Sequence, residues 1–553
     1  MKKRNVLISV SDKTNIVAVA QRLVALEFNI IASGGTADLL DRHGIAVTQT
    51  ATIINRYAKN VLTEHNIEVT PELVEALGGA ILDHRVVTLS REIHGGLLAR
   101  GKHVEELAKL LIPWIHMTIV DFYPFAKTVA KPGITLEEAI EQIDVGGPIM
   151  AHSTAKGAAD GRTIICDLSD CEWVLTALEQ NPEHDLDQTT KNKLAAKADF
   201  VVSKYCMDVA TYRSEGAYMG IFGISALICK YGENVWQKIA GLFSQQTNDP
   251  LALDKFKRVG GDDPSYNNLC DLDRLVQTIT HIAAAFEKNR GWVPKIAVAV
   301  KHGNPCGAAF SDSGCEALKL TMGGDPVAVF GGSVITNFPV GAEEAEQLAV
   351  QKLDAIIAPD ITLATIAKLE RKHGKCRFLV NPALGPIGLD SLDKAKRFRY
   401  VRGGFLLQDN YIYVLDLNDP ELDKKCGIAS PHQENSMLLA WAISSTSNSN
   451  TITLVQENYL IGNGVGQQDR VGAAQLALIR TVRPGHKVEG AVACSDSYFP
   501  YPDGPQALVD AGVKVILTSS GSIKDKDTIG LCAAHSIFLY MIPDTKGRGF
   551  YGH

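Results

Sequence analysis

The chain contains no Cys-x-x-Cys: its eleven cysteines are scattered singly through 553 residues. A structural zinc site needs such pairs, and an odd number of isolated thiols gives no disulfide framework, so no metal is expected and a reducing, cytoplasmic setting is. A basic excess is also missing. Lysine and arginine together number 55 against 62 acidic residues, a net charge of −7. Nucleic acids and anionic membranes both select a basic face, so neither is expected as a partner. No stretch approaches the ~18 uninterrupted apolar residues of a membrane span. The apolar part of residues 1–10 is too short for a signal peptide and reads as the approach to a first strand. Aromatic residues are sparse at 7%, while 46% hydrophobic and 21% charged content is that of a soluble globular protein. The length exceeds one ordinary core, so about two to four domains are expected.

What is present is concentrated at residues 296–307, Ile296-Ala297-Val298-Ala299-Val300-Lys301-His302-Gly303-Asn304-Pro305-Cys306-Gly307. The apolar run predicts a buried strand, and Gly-Asn-Pro-Cys-Gly predicts a loop. Lys301 and His302 then stand where a strand gives way to a loop, the usual edge of an active site in an α/β sheet. A surface Lys-His pair before a turn is the alternative. Zinc deaminase chemistry is not: it requires Pro-Cys-x-x-Cys, and Pro305-Cys306 is followed by Gly-Ala-Ala.

Along residues 1 to about 220, apolar strand-like runs alternate with helical periodicity: strands at 6–10, 29–32 and 115–120, helices at 16–26 and 37–43. Repeated β-α units predict a parallel sheet covered by helices. Residues 186–230 read largely as helix, 419–425 and 181–190 as solvated connectors, and 451–461 as a hairpin. The expected units are 1–222 and 223–553, with Lys230-Tyr231-Gly232-Glu233-Asn234 close behind the boundary. Two regions, 296–308 and 490–504, share a strand, polar loop, helix pattern.

Two anion cradles are legible in the front unit. Ser9 to Thr14 follows a strand and opens a helix, offering hydroxyls, backbone N–H groups and the Lys13 ammonium. Ser33-Gly34-Gly35-Thr36 does the same after the second strand, with glycines permitting close backbone approach. An ordinary loop and N-cap is the alternative for each alone.

These segments, with Tyr123-Pro124-Phe125, Asp144-Val145-Gly146-Gly147, Ser449-Asn450-Thr451, Ile461-Gly462-Asn463-Gly464-Val465-Gly466-Gln467-Gln468-Asp469-Arg470 and Ser495-Asp496-Ser497-Tyr498-Phe499-Pro500-Tyr501-Pro502-Asp503-Gly504, stand in one order. As an ordered set the sequence resembles the bifunctional purine-biosynthesis family that joins AICAR formyltransferase to IMP cyclohydrolase. The resemblance implies an α/β protein: an N-terminal methylglyoxal-synthase-like parallel-sheet domain, then a transformylase region of two cytidine-deaminase-like α/β subdomains. It implies AICAR, 10-formyltetrahydrofolate and formyl-AICAR as small-molecule substrates, with the folate as co-substrate and no covalently bound cofactor. It also implies a homodimer and leaves room for a monovalent cation.

Residue by residue, the resemblance implies that Ser11, Lys13, Ser33, Gly34, Gly35, Thr36, Arg85 and Thr88 contact nucleotide in the front unit. It gives Tyr123, Asp144 and Lys156 the proton handling of cyclisation. In the second unit it makes His302 the base, Lys301 the oxyanion partner or acid, and Asn450 the group that orients the acceptor. Tyr231, Arg470 and Arg548 become nucleotide contacts, and Tyr498 and Asp503 lie on the folate side. His302 has the intrinsic pKa for such a base, and a delocalised aromatic amine needs one.

The chain departs from the family at specific places. Where the family has Arg-Val-Lys-Thr-Leu-His-Pro, this sequence has Arg85-Val86-Val87-Thr88-Leu89-Ser90-Arg91, so the lysine that assists cyclisation is Val87. A valine neither donates a hydrogen bond nor carries charge. The Lys-Asn-His that follows is Lys156-Gly157-Ala158, residues 51–84 form a longer connection than usual, Lys230 replaces an arginine, and the C-terminus has one residue more before His553. Two other readings therefore accompany the bifunctional one: a formyltransferase with an impaired front unit, and a front unit that only binds nucleotide.

Overall fold

The computed structural model describes residues 4–70, 73 and 86–553. The chain divides into two compact units, Met1–Phe222 and Gly223–His553.

In the first unit, β1 (Arg4–Ser9), β2 (Phe28–Ala32), β3 (Val47–Gln49), β4 (Met117–Val120) and β5 (Thr163–Ile165) form one parallel sheet in the order β3-β2-β1-β4-β5. Val6, Leu7 and Ile8 in succession are buried, as expected of a strand covered on both faces. The chain leaves β1 toward β2 on one side and returns to β4 on the other. The carboxyl ends of β1 and β4 therefore flank the crevice where such sheets take ligands. The helix after β2 begins at Gly34, earlier than the periodicity predicts, because Ser33 takes the extended N-cap conformation and Gly34 has φ +46°. The helix expected through 230 ends at Arg213: Glu215 and Gly216 adopt positive φ and stop it.

The second unit opens with a separate hairpin of β6 (Ile224–Ile228) and β7 (Gly241–Ser244). Its main sheet contains β8 (Lys257–Gly260), β9 (Lys295–Lys301), β10 (Asn304–Ser311), β11 (Ser333–Thr336), β12 (Ala355–Ala358) and β13 (Arg377–Val380). A second free hairpin pairs β14 (Lys396–Val401) with β15 (Gly404–Asp409). The main sheet then continues with β16 (Asp423–Lys425), β17 (Ile452–Gln456), β18 (Tyr459–Gly464), β19 (Val492–Ser495), β20 (Val515–Ser520) and β21 (Phe538–Pro543). The order is β16-β21-β20-β19-β17-β18-β10-β9-β11-β12-β13-β8.

That order contains one motif twice. An antiparallel hairpin (β9–β10, β17–β18) is followed by a strand antiparallel to its first member (β11, β19) and then by two parallel strands (β12–β13, β20–β21). The two copies meet where β10 pairs with β18. A buried helix precedes each copy, Tyr266–Arg290 and Pro431–Ser445. The repeat noticed in the sequence is thus real, but its alignment is corrected: the counterpart of β9 is β17, not the strand in 490–504. Lengths of loop between similar strands differ in the two copies, which hides the register. Within β9, Ile296, Val298 and Val300 pack toward these helices and Ala297 and Ala299 toward the opposite face. Residues 423–425, expected in a solvated connector, form an edge strand on β21.

Candidate active sites in the two units

At the carboxyl ends of β1, β2 and β4, Asp121 accepts hydrogen bonds from the backbone N–H groups of Ser11 and Asp12, the latter at 3.0 Å, and Asp12 Oδ1 accepts from Thr14 N at 2.8 Å. Those N–H groups, expected to face an anion, are held by carboxylates instead, because Asp121 lies directly across the β1–β4 crevice. The Lys13 ammonium and the start of the helix Gly34–Arg42 remain as the positive elements. They adjoin each other: a Cβ on Gly35 would lie 3.9 Å from Lys13 Nζ. Thr36 Oγ1 donates to the Val10 carbonyl at 3.3 Å, and Ser9 and Ser33 hydroxyls are 3.4 Å apart.

Asp144 lies beside this cluster at the N-terminus of the helix Gly146–Lys156. Its carboxylate accepts from Gly147 N at 2.8 Å and Tyr123 N at 3.3 Å, and its own N–H donates to the Tyr205 hydroxyl at 2.7 Å. Burial raises the Asp144 carboxyl above its ordinary range, against the pull of those N–H groups and with the Asp121 charge adding to the rise. Thr88 is buried, and its hydroxyl fills the space a Cβ on Gly146 would need, 2.9 Å away. Tyr123 is exposed. Tyr123, Asp144 and Thr88 are therefore brought together. Lys156 is exposed at the far end of the helix, roughly 15 Å of axial rise from its start. Arg85 lies outside the described residues. Val87 is half-buried next to Thr88, and Arg91 pairs with Glu92 at 3.0 Å.

In the second unit, the sequence expectation of an open loop after Lys301 is replaced by a tight hairpin. Asn304 pairs with Lys301 across the turn, and His302 and Gly303 both have positive φ, +52° and +69°, the geometry that matches the right-handed twist of the flanking strands. Asp271, on the helix Tyr266–Arg290, accepts the Gly303 N–H at 2.8 Å. Lys301 Nζ donates to the Phe330 carbonyl at 2.5 Å, and His302 is exposed. A cavity of about 360 Å³ opens here, lined among others by Lys301, His302, Asn304, Asp325 and Arg480, the last two paired at 2.9 Å. Cys306 lines it too, but burial pushes its thiol up to about 12, so it is no nucleophile.

The ladder brings Ile452 level with both Gly464 and Ser495. The segments before β17, after β18 and after β19 thus reach one edge of the sheet, the edge that carries the His302 turn. Asn450 exchanges backbone hydrogen bonds with Gln467 at 3.1 and 3.2 Å, and its Nδ2 also donates to the Gln467 carbonyl at 3.0 Å. Arg470 forms an ion pair with buried Asp496, whose Oδ2 has no hydrogen-bond partner among the described residues. Arg548 pairs with Asp544 and lies 5.8 Å from the Tyr498 ring centroid. Burial would raise the Asp544 carboxyl, but the Ser519 and Ser497 hydroxyls and Arg548 bring it below its ordinary value. Asp503 is exposed at the start of the helix Asp503–Asp510. Tyr231 belongs to the segment whose Glu233 carbonyl accepts from Asn267, one helical turn from Asp271. Asp121 and Asp271 carried no sequence signal, since each acts on backbone donors far away in the chain; Asp496 stood in a quoted motif and Asp544 lies four residues before Arg548, but neither was read as an ion-pair partner.

Fold and sites define a two-unit α/β protein with polar groups gathered at a sheet edge in each unit. The AICARFT/IMPCHase bienzyme family matches residues 154–480, and the MGS-like domain family matches residues 15–149. The bifunctional purine biosynthesis protein PurH of Listeria innocua serovar 6a is 34% identical, covering 97% of this chain and 98% of its own. Proteins of the same name from Anoxybacillus flavithermus and Nostoc sp. are 34% identical over 95% of this chain and 32% over 98%. The chain belongs to the AICARFT/IMPCHase bienzyme family. Among the described residues no helix is long and apolar enough to cross a membrane.

Proposed function

We propose that the protein catalyses the two closing steps of IMP synthesis: formyl transfer from 10-formyltetrahydrofolate to AICAR in residues 223–553, and closure of formyl-AICAR to IMP with loss of water in residues 1–222. The observation that supports this most is the near full-length match to relatives carrying that bifunctional name. The presence of the MGS-like region, residues 15–149, disfavours a chain that carries out formyl transfer alone.

In the transfer, the 5-amino nitrogen of AICAR attacks the formyl carbon while His302 takes its proton, Lys301 meets the developing oxyanion, and the folate nitrogen leaves with a proton. The exposed imidazole on its tight turn, next to a lysine and above a cavity, supports this assignment. Asn450 orients the acceptor, Arg470, Arg548 and Tyr231 take the nucleotide, and Tyr498 and Asp503 face the folate. In the cyclisation, the carboxamide nitrogen attacks the formyl carbon on the same ring, so proximity is largely supplied by the substrate. Asp144 and Tyr123 handle protons without Lys156, which stands at the other end of the helix. Ser11, Lys13, Ser33, Gly34, Gly35, Thr36, Arg85 and Thr88 hold the nucleotide. The carboxyl of Asp144, raised above its ordinary range by burial, supports a proton-carrying role.

The protein works as a cytoplasmic homodimer, with room for a monovalent cation. Both free hairpins of the second unit expose apolar side chains, with Trp236 at 75% and Tyr400 at 79% exposure, a feature of surfaces that meet a partner. The test of function is a two-arm assay. AICAR with 10-formyltetrahydrofolate should yield IMP, and formyl-AICAR alone should yield IMP without folate. Absence of product in the second arm would reduce the front unit to a binding module.

A further inference from the structure

The segment from Thr446 to Asn450 is held from outside by the last residues of the chain. Ser449 N donates to the Gly552 carbonyl at 3.0 Å, Tyr551 N donates to the Ser447 carbonyl at 2.9 Å, and Asn448 and Gly552 form a parallel bridge. Gly552 permits this approach, since a Cβ there would lie 2.5 Å from Asn448 Oδ1. The anchor is Tyr551. Two guanidinium groups lie over its ring, Arg274 at 4.2 Å and Arg397 at 3.7 Å from the centroid. Its hydroxyl donates to Asp273, and its carbonyl accepts from Arg397. Arg274 also binds the Thr446 carbonyl and, at 3.1 Å, Asn448 Oδ1. Two cations over one ring, with the hydroxyl fixed by a carboxylate, allow the ring little freedom.

We propose that Tyr551 is a positioning residue for formyl transfer: clasped by Arg274 and Arg397, it fixes the Ser447–Asn450 backbone so that Asn450 meets the acceptor nucleotide in one orientation. The inference rests on the acceptor-orienting reading of Asn450. The same tail reaches the Arg470 pair, through Gly549 N to the Asp496 carbonyl at 3.1 Å. Effects should therefore fall on the acceptor side of the reaction.

The experiment is steady-state formyl transfer by the full chain, varying AICAR and 10-formyltetrahydrofolate separately, with thermal melts of each variant. Tyr551→Ala should raise KM for AICAR about tenfold, the scale of one to two cation–π contacts, and leave KM for the folate within about twofold. Tyr551→Phe keeps both stacks and should restore most of the loss. Arg397→Gln, on the free hairpin, removes one clasp without emptying the core and should reproduce part of the AICAR effect; it carries the test if Tyr551→Ala fails to fold. Asn450→Ala is measured alongside. If it impairs acceptor use while Tyr551→Ala and Arg397→Gln leave KM for AICAR unchanged, the positioning role is overturned and the reading of Asn450 stands. If Asn450→Ala is itself silent, that reading falls and the inference with it. A fall in kcat with both KM values unchanged, tracking a lower melting temperature, would make Tyr551 merely structural and overturn the proposal.

Discussion

Asp271 accepts the backbone N–H of Gly303 at 2.8 Å and so ties the His302 turn to the buried helix Tyr266–Arg290. The carboxylate does this at a cost to itself. Burial pushes its pKa up to about 6, against the Gly303 N–H and the His302 charge, with Asp354 adding to the rise and Arg274 opposing it. A raised carboxyl pKa means the folded protein binds the proton more tightly than the unfolded chain. Folding is therefore penalised progressively as pH rises from about 4 to about 6, and fully above that. Asp271→Asn keeps an acceptor for Gly303 and removes the charge. Its melting temperature should exceed wild type at about pH 8 and match it near pH 4, with a gain of at most ~3 kcal/mol. A lower melting temperature at the higher pH would show that the charge stabilises the turn.

His302→Ala should abolish formyl transfer while AICAR binding persists. Loss of a positioned base costs about 10²- to 10⁴-fold. Turnover above about a third of wild type, with nucleotide affinity intact by calorimetry, would remove His302 from the mechanism.

Gly147→Ala tests the other unit. The added Cβ would lie 2.8 Å from Asp144 Oδ2 and 2.9 Å from the Phe122 ring, so the carboxylate has to move. A displacement of this order costs about 10²-fold in a positioned reaction. Cyclisation of formyl-AICAR should slow by that scale, while formyl transfer stays at the wild-type rate. Unchanged cyclisation would mean that the carboxylate position is not critical.

Assembly is checked by dilution. Sedimentation should show a dimer, and Trp236→Ser or Tyr400→Ser, each on a free hairpin, should shift it toward monomer. A fully active monomer at assay concentration would rule out a site shared between subunits.

The parallel sheet of the first unit was legible in β1, β2 and β4, short apolar runs between helical periods, but not in the three-residue strands β3 (Val-Thr-Gln) and β5, which are too short to show a pattern. The 451–461 hairpin was legible as β1, β2 and β4 were. The turn at His302 was not. Pro305 reads as a strand breaker, yet it sits in β10 beside a register shift between Pro305 and Gly307, where Asn463 Nδ2 reaches the Pro305 carbonyl at 3.0 Å. The proline needs no ladder hydrogen bond there. The acidic partners were hidden for a different reason. Asp121 binds Ser11 from 110 residues away, and no spacing rule in one sequence reaches that far. Such carboxylates change the chemistry, because they occupy donors and cations that the motifs alone leave free.

Val87 gives the most particular prediction. It stands where the family carries a lysine, half-buried beside Thr88, which itself packs against the N-terminus of the Asp144 helix. An ammonium at that place would stabilise charge growing on the formyl oxygen during ring closure, and one lost oxyanion donor costs ~2.7–4 kcal/mol, or about 10²- to 10³-fold in rate. Val87→Lys should therefore speed cyclisation of formyl-AICAR and leave formyl transfer unchanged. Arg91, four residues on, is the alternative cation, but its guanidinium engages Glu92 at 3.0 Å, and its rigid fork is a poor substitute for an ammonium. Arg91→Ala separates the cases. If wild type cyclises quickly and Arg91→Ala slows it sharply, Arg91 has assumed the role. If wild type is fast and both substitutions are silent, ring closure in this enzyme needs no cation at that position, and the Asp144–Tyr123 cluster carries the step unaided.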